Sequence, residues 1–547
     1  MRNGAAAGGR ISVKIDKTGL LPALYACLFS LCVAMGRRIA FGGDVWLKNT
    51  DNYIRPITAG DILLFFVLAF AVGFLLLLAQ RNAPRIRSAC LCRAERNRPL
   101  RFALLCAAAL LLVWLPYILT VAPGNIYVDS LSSISQMLEH GHPTSNHHPM
   151  FYTLMVGVFL KIGNVVFGSA NTGVLLYSLF QTGVMIFCIV SILTLMYHKR
   201  ISKWIIGASL MYFMLVPLFP NYAMSMWKDA LFSCMLLLLS VVVYMLLSQK
   251  AGGWWWFVCY GAAGLGAMIF RNNGLYVFVG VTALLLWPLR RQIRRFACVS
   301  VCALVVYIST TSLATRVWNI YSDYVENVGI PLLQMGYTIN HDGAFTPEEE
   351  AYLFRLMPEE VWNYAYRPCL VDGIKWNPQF DLEFLDETKG EFFKVWVGGL
   401  IKNPGEYVDA YLLATHGFWQ PGVQNLYGFM DVQMNDNPYG IGFMDLFEKV
   451  FGFSIMPVLK DYPIFLGSGT LLWLVLLGMT AAWGQKTRNT LPYMPAMLNW
   501  ATVMIATPVA YSLRYVFIFA LGLPLYLTLP LMLEQSGDDP AAPENEE

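Results

Sequence analysis

Charge is scarce in this chain: 13% of its 547 residues are Asp, Glu, Lys or Arg, against 57% hydrophobic ones. That shortage excludes a soluble globular protein, whose surface could not hide so much apolar side chain. An excess of one sign is missing as well. The net charge is +3, and no Lys/Arg tract is interleaved with aromatics, so nucleic acid is set aside as a partner. Paired cysteine motifs are absent. The eleven cysteines lie mostly in apolar runs and read as small buried hydrophobes; Cys90 and Cys92 have no second pair or His cluster nearby to complete a zinc site. The long hydrophilic segment holds only Cys369, and an extracytoplasmic domain without disulfides suits a bacterial envelope at least as well as a secreted eukaryotic domain. No cleavage site of the A-x-A kind follows the first apolar run, so that run is expected as a retained helix.

What the chain has in quantity is long apolar runs, and the mean hydropathy is +0.51. Backbone polar groups must be satisfied internally in hydrocarbon, so the runs are expected as helices and the fold as mainly α. The runs lie at about 20–36, 61–80, 102–121, 172–197, 204–220, 229–248, 254–270, 275–289, 296–314, 465–483, 491–507 and 511–533. They predict a polytopic membrane protein of about twelve transmembrane helices.

Orientation follows from the cations, because translocating Lys and Arg is disfavoured. Arg81, Arg85, Arg87, Arg93, Arg96, Arg98 and Arg101 fill one loop against Glu95 alone. Further basic connections are His198 to Lys203, the Arg290, Arg291, Arg294, Arg295 group, and Lys486 with Arg488. All fall on the cytoplasmic side only if the apolar run at about 150–166 does not cross. An interfacial or re-entrant helix is therefore expected there. The resulting organisation is a cytoplasmic N-terminus (1–19), nine spans with an outer loop at 122–171 (20–315), an extracytoplasmic helical domain (316–463), three spans (464–533) and a disordered acidic cytoplasmic tail (534–547).

In the hydrophilic segment, Thr346, Pro347 and Glu349 form a capping box opening a helix, and Asn403 with Pro404 separates two helical patterns. The residues Phe392, Phe393, Trp396, Leu400 and Ile401 make an apolar stripe, read as domain core, with a membrane-surface face as the alternative. Residues 417–442 read as ordered loop.

Four polar clusters converge on the outer ends of the spans: Asp129 and Ser130 followed by a short polar helix to His140 and then His142, His147, His148 and Pro149; Trp227, Lys228 and Asp229; Arg271 to Gly274, with Asn273; and Ser512 to Tyr515, after Thr507 and Pro508. Each has a bland reading. Asp129 and Asp229 are natural N-caps, Lys228 and Arg271 can anchor helix ends at the interface, and His148 can satisfy a backbone group. Arg514 resists such a reading, because a guanidinium a turn inside an apolar helix is costly unless an anion meets it. A carboxylate beside cations at a membrane surface suits one chemistry. Asp129 would take a proton from an acceptor hydroxyl while Lys228, Arg271 and Arg514 neutralise a lipid-borne phosphate leaving group.

An Asp in the first large outer loop, a short helix and a His-Pro element, as in Asp129 to Pro149, resemble the integral membrane glycosyltransferases of type C fold (GT-C). Leu513, Arg514 and Tyr515 look like their last-helix motif. Tyr127 to Pro149, Met226 to Asp229, Arg271 to Gly274 and Val371 to Lys375 together resemble an uncharacterised family of bacterial multi-pass membrane proteins with GT-C-like motifs. The resemblance implies sugar transfer from a polyprenyl-phosphate donor to an envelope acceptor. It implies Asp129 as general base or acceptor-orienting carboxylate, His148 as the second catalytic residue, and His147, Lys228, Asp229, Arg271, Asn273, Arg514 and Tyr515 around substrate and phosphate. No cofactor is certain; a divalent metal is left open, although the adjacent His147 and His148 would point apart on a helix. A single acid in the first loop, and Ser512 where a Glu often stands, depart from the GT-C pattern. The rival readings are a transporter or lipid-linked saccharide flippase, and a membrane acyltransferase with His148 as base. Against transport stand polar clusters at helix ends and the lack of an inverted repeat.

Overall fold

A computed structural model describes residues 17–40, 53–92, 98–248, 253–322, 324–423, 432–460, 466–485, 487–506 and 511–532. The expectations for the extreme N-terminus, for the acidic tail and for Thr507 and Pro508 lie outside the described residues. The described chain is mainly helical; its two-stranded ladder pairs Ile39–Ala40 with Tyr53–Ile54.

Among the described residues, eight helices are long and apolar enough to cross a membrane: Gly19–Gly36, Ala59–Arg81, Pro99–Thr120, Met150–Phe167, Ala170–His198, Lys228–Ser248, Arg290–Trp318 and Leu513–Met532. A ninth arises if Lys203–Leu215 and Leu218–Met224, bent by 54°, form one span. Pro217 sits at that bend, where a ring without an N–H cannot continue the ladder. The remaining expected spans fall short of the same length and apolarity. Trp254–Phe270 and Gly274–Leu285 are shorter apolar helices; twelve residues rise only about 18 Å against a hydrocarbon core of about 30 Å. Met494–Ala506 is likewise short, and Ser468–Gln485 is diluted by Ser468, Thr470, Thr480 and Gln485.

Burial sorts the helices into lining and core. No residue in the apolar window of Ala59–Arg81 is buried, whereas 72% of the window of Lys228–Ser248 is. Leu63, Phe66, Phe70 and Leu75 on the first stand exposed, as a lipid-facing helix requires. Such a pattern of long, outwardly apolar helices around a packed centre is that of a multi-pass membrane protein.

Two of the basic connections, at 90–92 and 199–202, meet at one end of the bundle, with Arg488 nearby; Arg93, Arg96 and Lys486 lie outside the described residues. Cys92 N–H donates to Arg200 O and Ser202 N–H to Cys90 O, both at 2.7 Å. Lys199 lies over the Tyr244 ring, Tyr244 donates to Met532 O at 3.1 Å, and Lys199, Ser248, Arg488 and Met532 line one small cavity. At the other end Met150–Phe167 and Ala170–His198 form a hairpin turning at Gly168 (φ 65°). The two helices touch closely: a Cβ on Gly173 would stand 2.8 Å from Leu160 Cα, so only glycine permits this approach. Ring contacts tie Tyr152 and Phe159 to Tyr177, and Phe159 to Phe180.

A second apolar core, with Leu332, Leu353, Trp362, Tyr366, Ile374 and Tyr407 fully buried, organises a helical domain after residue 329. Thr346 and Glu349 form the expected capping box of Pro347–Leu356. Asn403 separates Lys389–Lys402 from Pro404–Thr415, and its amide exchanges bonds with Ala344 N and O. The apolar stripe divides. Phe392 is buried and Trp396 half-buried, donating to Gln334 at 2.8 Å, but Phe393, Leu400 and Ile401 are exposed. The stripe is wider than the arc the domain can cover, so Val395 and Gly399 take the remaining inward positions. Tyr411 donates to Met504 O at 3.2 Å and Tyr511 to Leu413 O at 3.0 Å, docking the domain on the bundle. Of the loop expected at 417–442, residues 419–423 and 432–442 carry no helix or strand, Gly417 and Phe418 belong to the short 3-10 turn His416–Phe418, and 424–431 lie outside the described residues.

Candidate functional site

The loop after Pro99–Thr120 is built around a buried asparagine. Asn125 Nδ2 donates to Asn221 Oδ1 at 2.7 Å, its N–H to Met224 O at 2.8 Å, and its O accepts Met226 N–H at 3.1 Å. Buried amides and backbone groups need partners, and here each supplies the other. Gln181, inside an apolar helix, donates to Tyr222, Ala223 and Ser225 carbonyls at 2.9, 3.1 and 2.6 Å. Ser130 and Tyr152 both donate to Met226 O, at 2.7 and 2.8 Å. Together these bonds hold the start of Lys228–Ser248 against the helix Val128–Ser135.

Asp129 is the second residue of Val128–Ser135, not its cap; the cap position is Tyr127, whose N–H donates to Ser130 Oγ at 3.3 Å. The Asp129 carboxylate instead accepts from Arg514 Nη1 at 2.7 Å across 385 residues of sequence. Arg514 Nη2 donates to Tyr515 OH at 2.8 Å. The guanidinium lies over the rings of Tyr515 and Trp227, 4.8 and 5.4 Å from their centroids, and Trp227 stacks on Tyr127 at 4.1 Å. Beside it Arg271 Nη1 donates to Asp229 Oδ1 at 2.6 Å, with its guanidinium 4.7 Å from the same Tyr515 ring. Asp229 is 1% exposed, and its Oδ2 has no hydrogen-bond partner among the described residues. Lys228 Nζ meets His148 Nδ1 at 2.6 Å and feels the charges of both carboxylates and both guanidiniums.

Burial alone would raise the Asp129 carboxyl, but Arg514 and then Lys228 hold it well below the ordinary carboxylate range. Burial and the neighbouring Lys228 push His148 well below the ordinary imidazole value. His148 is thus neutral, and with its Nδ1 accepting from an ammonium its proton sits on Nε2. The bland reading of His148 as partner of a backbone group gives way to this side-chain contact.

Two predicted site residues stand apart. Asn273 Nδ2 donates to Asn499 Oδ1 and Thr502 Oγ1 at 3.1 and 2.9 Å, so it ties Gly274–Leu285 to Met494–Ala506 and does not face the charges. His147 turns the other way, its Nδ1 3.3 Å from Glu326 Oε1. Its ring nevertheless stays edge-on to that of His148, with centroids 4.5 Å apart, so the expectation that the two adjacent histidines point apart is not met; they differ in the partner each nitrogen meets. Glu326 also holds Lys375 Nζ at 3.0 Å, which reaches Asp372 at 3.1 Å, and Trp376 stands edge-on to His147. Burial raises Glu326, yet the bond with His147 and the charge of Lys375 bring it down to about 2. This seam between loop and domain was not legible as a site. Asn125, Gln181, Asn221 and Asn499 were missed as well, although a lone amide in an apolar helix always requires a partner. Among the described residues no group of three His, Cys, Asp or Glu side chains is placed to hold a metal ion.

Three cations, two carboxylates, a neutral histidine and stacked aromatics at the ends of membrane helices define the class: a multi-pass membrane protein with a polar site suited to an anionic ligand. The chain belongs to a family of unknown function, DUF6020, which it matches over residues 139–542. His147, His148, Lys228, Asp229, Arg271, Arg514 and Tyr515 lie within the matched region; Asp129 precedes it. No curated protein and no solved structure is significantly similar to the chain.

Proposed function

We propose that this protein is an integral membrane glycosyltransferase of GT-C-like fold that moves a sugar from a polyprenyl-phosphate-linked donor to a cell-envelope acceptor. The observation that carries the reading is the Asp129–Arg514 pair, a candidate base held by a candidate phosphate ligand beside Lys228 and Arg271. Lys228, Arg271 and Arg514 exceed Asp129 and Asp229 by one charge, which matches the single negative charge of a sugar phosphodiester.

In the free site Arg514 keeps Asp129 ionised and a weak base. A donor phosphate that takes over the guanidinium returns the carboxylate toward ordinary basicity where the acceptor hydroxyl arrives. The hydroxyl oxygen then bonds to the anomeric carbon as the carbon–oxygen bond to phosphate breaks. The hydroxyl proton passes to Asp129, and the phosphate leaves with its charge met by Arg514, Arg271 and Lys228. His148 positions Lys228 in this scheme; the same commitment of its Nδ1 disfavours an acyltransferase with His148 as base.

The topology proposed with this reading has about twelve passes, both termini in the cytoplasm, the domain 316–463 outside, and Met150–Phe167 as a non-crossing helix. Two observations support it. The connection at 198–203 pairs with that at 90–92, so an even number of passes separates them. Met150–Phe167 packs on residues 173–180 of its partner helix, and Gln181 is already level with Ser225 at the site. The helix therefore flanks the segment that rises beyond the site.

The test is a deletion strain of the native host, complemented with wild type or Asp129→Asn at equal expression, with lipid-linked sugars and envelope glycans profiled. Restoration of a missing sugar by wild type alone is expected. Full restoration by Asp129→Asn would remove the base and favour transport or flipping of the lipid-linked saccharide.

A further inference from the structure

Between the domain and Ser468–Gln485 the chain forms a short helical hairpin, Leu446–Phe451 and Met456–Lys460. Its fold is locally determined. Asp445 caps the first helix by accepting Glu448 N–H at 2.9 Å and accepts the Ser454 hydroxyl across the turn, while Gly452 at φ 78° reverses the chain. The Phe447 ring packs on Phe451 and Phe453, with centroids 4.5 and 5.4 Å apart.

The outward face of this hairpin is apolar. Val450 is 69% exposed, Phe451 56%, Phe453 56% and Val458 67%. Four large apolar side chains on some fifteen residues are not a surface that water tolerates without a cover. What covers them follows from the neighbour. Leu446–Phe451 packs against Pro99–Thr120, an apolar helix whose Leu111, Leu112 and Leu115 are also exposed and which is long enough to cross a membrane. The hairpin thus lies against a lipid-facing helix, and Lys449, beside Glu448 in its first helix, and Lys460 at the end of its second stand exposed, where ammonium groups can reach headgroup phosphates while their stems lie on hydrocarbon.

We infer that the hairpin 446–460 is a membrane-interface anchor whose apolar face is covered by phospholipid at the headgroup–hydrocarbon boundary. The anchor also sets the depth of the site. Residues just before it are fastened to the loop bearing Asp129: Ile126 N–H donates to Gln433 O at 2.9 Å, Asn435 N–H to Ile126 O at 3.0 Å and Met444 N–H to Ala122 O at 2.7 Å. Tyr439 donates to Glu139, and Gly442 N–H to Asn171 Oδ1 at 3.0 Å. With the hairpin held at the lipid surface, the loop is held there too, at headgroup level. The inference stands on exposure and continuity, and does not need the glycosyltransferase reading.

The full chain is assembled in nanodiscs of phosphatidylethanolamine and phosphatidylglycerol with p-benzoylphenylalanine in place of Phe451 or Phe453, or of exposed Glu383 in the domain as control. After irradiation, intact mass is expected to rise by one phospholipid at positions 451 and 453 and not at 383. Phe453 is exposed, so the larger ring fits without disturbing the core. In a background of Lys449→Gln and Lys460→Gln the phosphatidylglycerol share of the adducts is expected to fall at least twofold. Covalent dimers at 451 and 453 would assign the face to a second copy and overturn the inference. Absence of any lipid adduct there would overturn it as well. Asp129→Asn should cross-link like wild type, which keeps this outcome separate from that of the sugar-transfer test.

Discussion

Two ionic clusters flank the His147–His148 pair, and they are built differently. In the inner one the Asp229–Arg271 pair is 1% and 16% exposed, while Asp129 beside it is 31% exposed; in the outer one the carboxylates Glu326 and Asp372 are 29% and 35% exposed around Lys375 at 10%. Charges withdrawn from water survive only in close mutual pairing, and removing one partner strands the other. Half-exposed charges keep part of their hydration and give correspondingly less. The inner cluster is thus costly to maintain as structure and suited to exchanging its internal partners for a ligand, whereas the outer one fastens the domain to the loop.

The sharpest break of this comparison is Asp229→Ala, which leaves Arg271 without its carboxylate among apolar helices. Unfolding in detergent or nanodiscs should show a loss of about 3–5 kcal/mol, and adding Arg271→Met should recover much of it. Failure of the double variant to recover would mean that Asp229 stabilises the bundle through something other than this pair.

Asp129→Asn should behave otherwise. Its side chain is 31% exposed, and Arg514 retains Tyr515 OH, so the thermal midpoint should move little. On the proposed function, with Asp129 as general base, sugar transfer measured as turnover of lipid-linked sugar should nevertheless fall by about 100-fold or more.

At the seam, Glu326→Gln should cost about 1 kcal/mol, seen as faster amide exchange around Lys375 with the bundle unchanged. The pH dependence has a definite sign. Glu326 titrates at about 2 in the folded protein, below the ordinary 4.5, so its stabilisation is present above about 4.5 and is lost as pH falls toward 2. Seam exchange that quickens on acidification in wild type, and not in Glu326→Gln, would bear this out. The smallest effect belongs to Lys394→Ala, which removes a surface pair with Glu391, 75% and 53% exposed. It should change stability by less than about 0.5 kcal/mol.

Much of this arrangement was legible beforehand where physics acts along the chain. The capping box at Thr346, the break at Asn403 and the short helix after Asp129 follow from local hydrogen bonding, and the long helices from apolar runs in a solvent that allows little else. Arg514 announced itself as a guanidinium beside an apolar run, although it stands in the opening 3-10 turn Leu513–Val516 and not a turn inside the helix. The split stripe at Phe392–Ile401, the inward asparagines and the seam around Glu326 were not legible, because each depends on which distant surface arrives opposite.

The sequence by itself determined a mainly helical, multi-pass membrane protein with its cations in a few connections and its spare polar residues at helix ends; composition and local periodicity suffice for that. Only the tertiary structure decided the partners: Asp129 with Arg514, Asp229 with Arg271, Lys228 with His148, while Asn273 and His147 went elsewhere. Pairing between charges hundreds of residues apart has no local signal. It is set by the packing of helices whose apolar faces are compatible with many neighbours, and the direction of one side chain then settles whether it joins the site or leaves it.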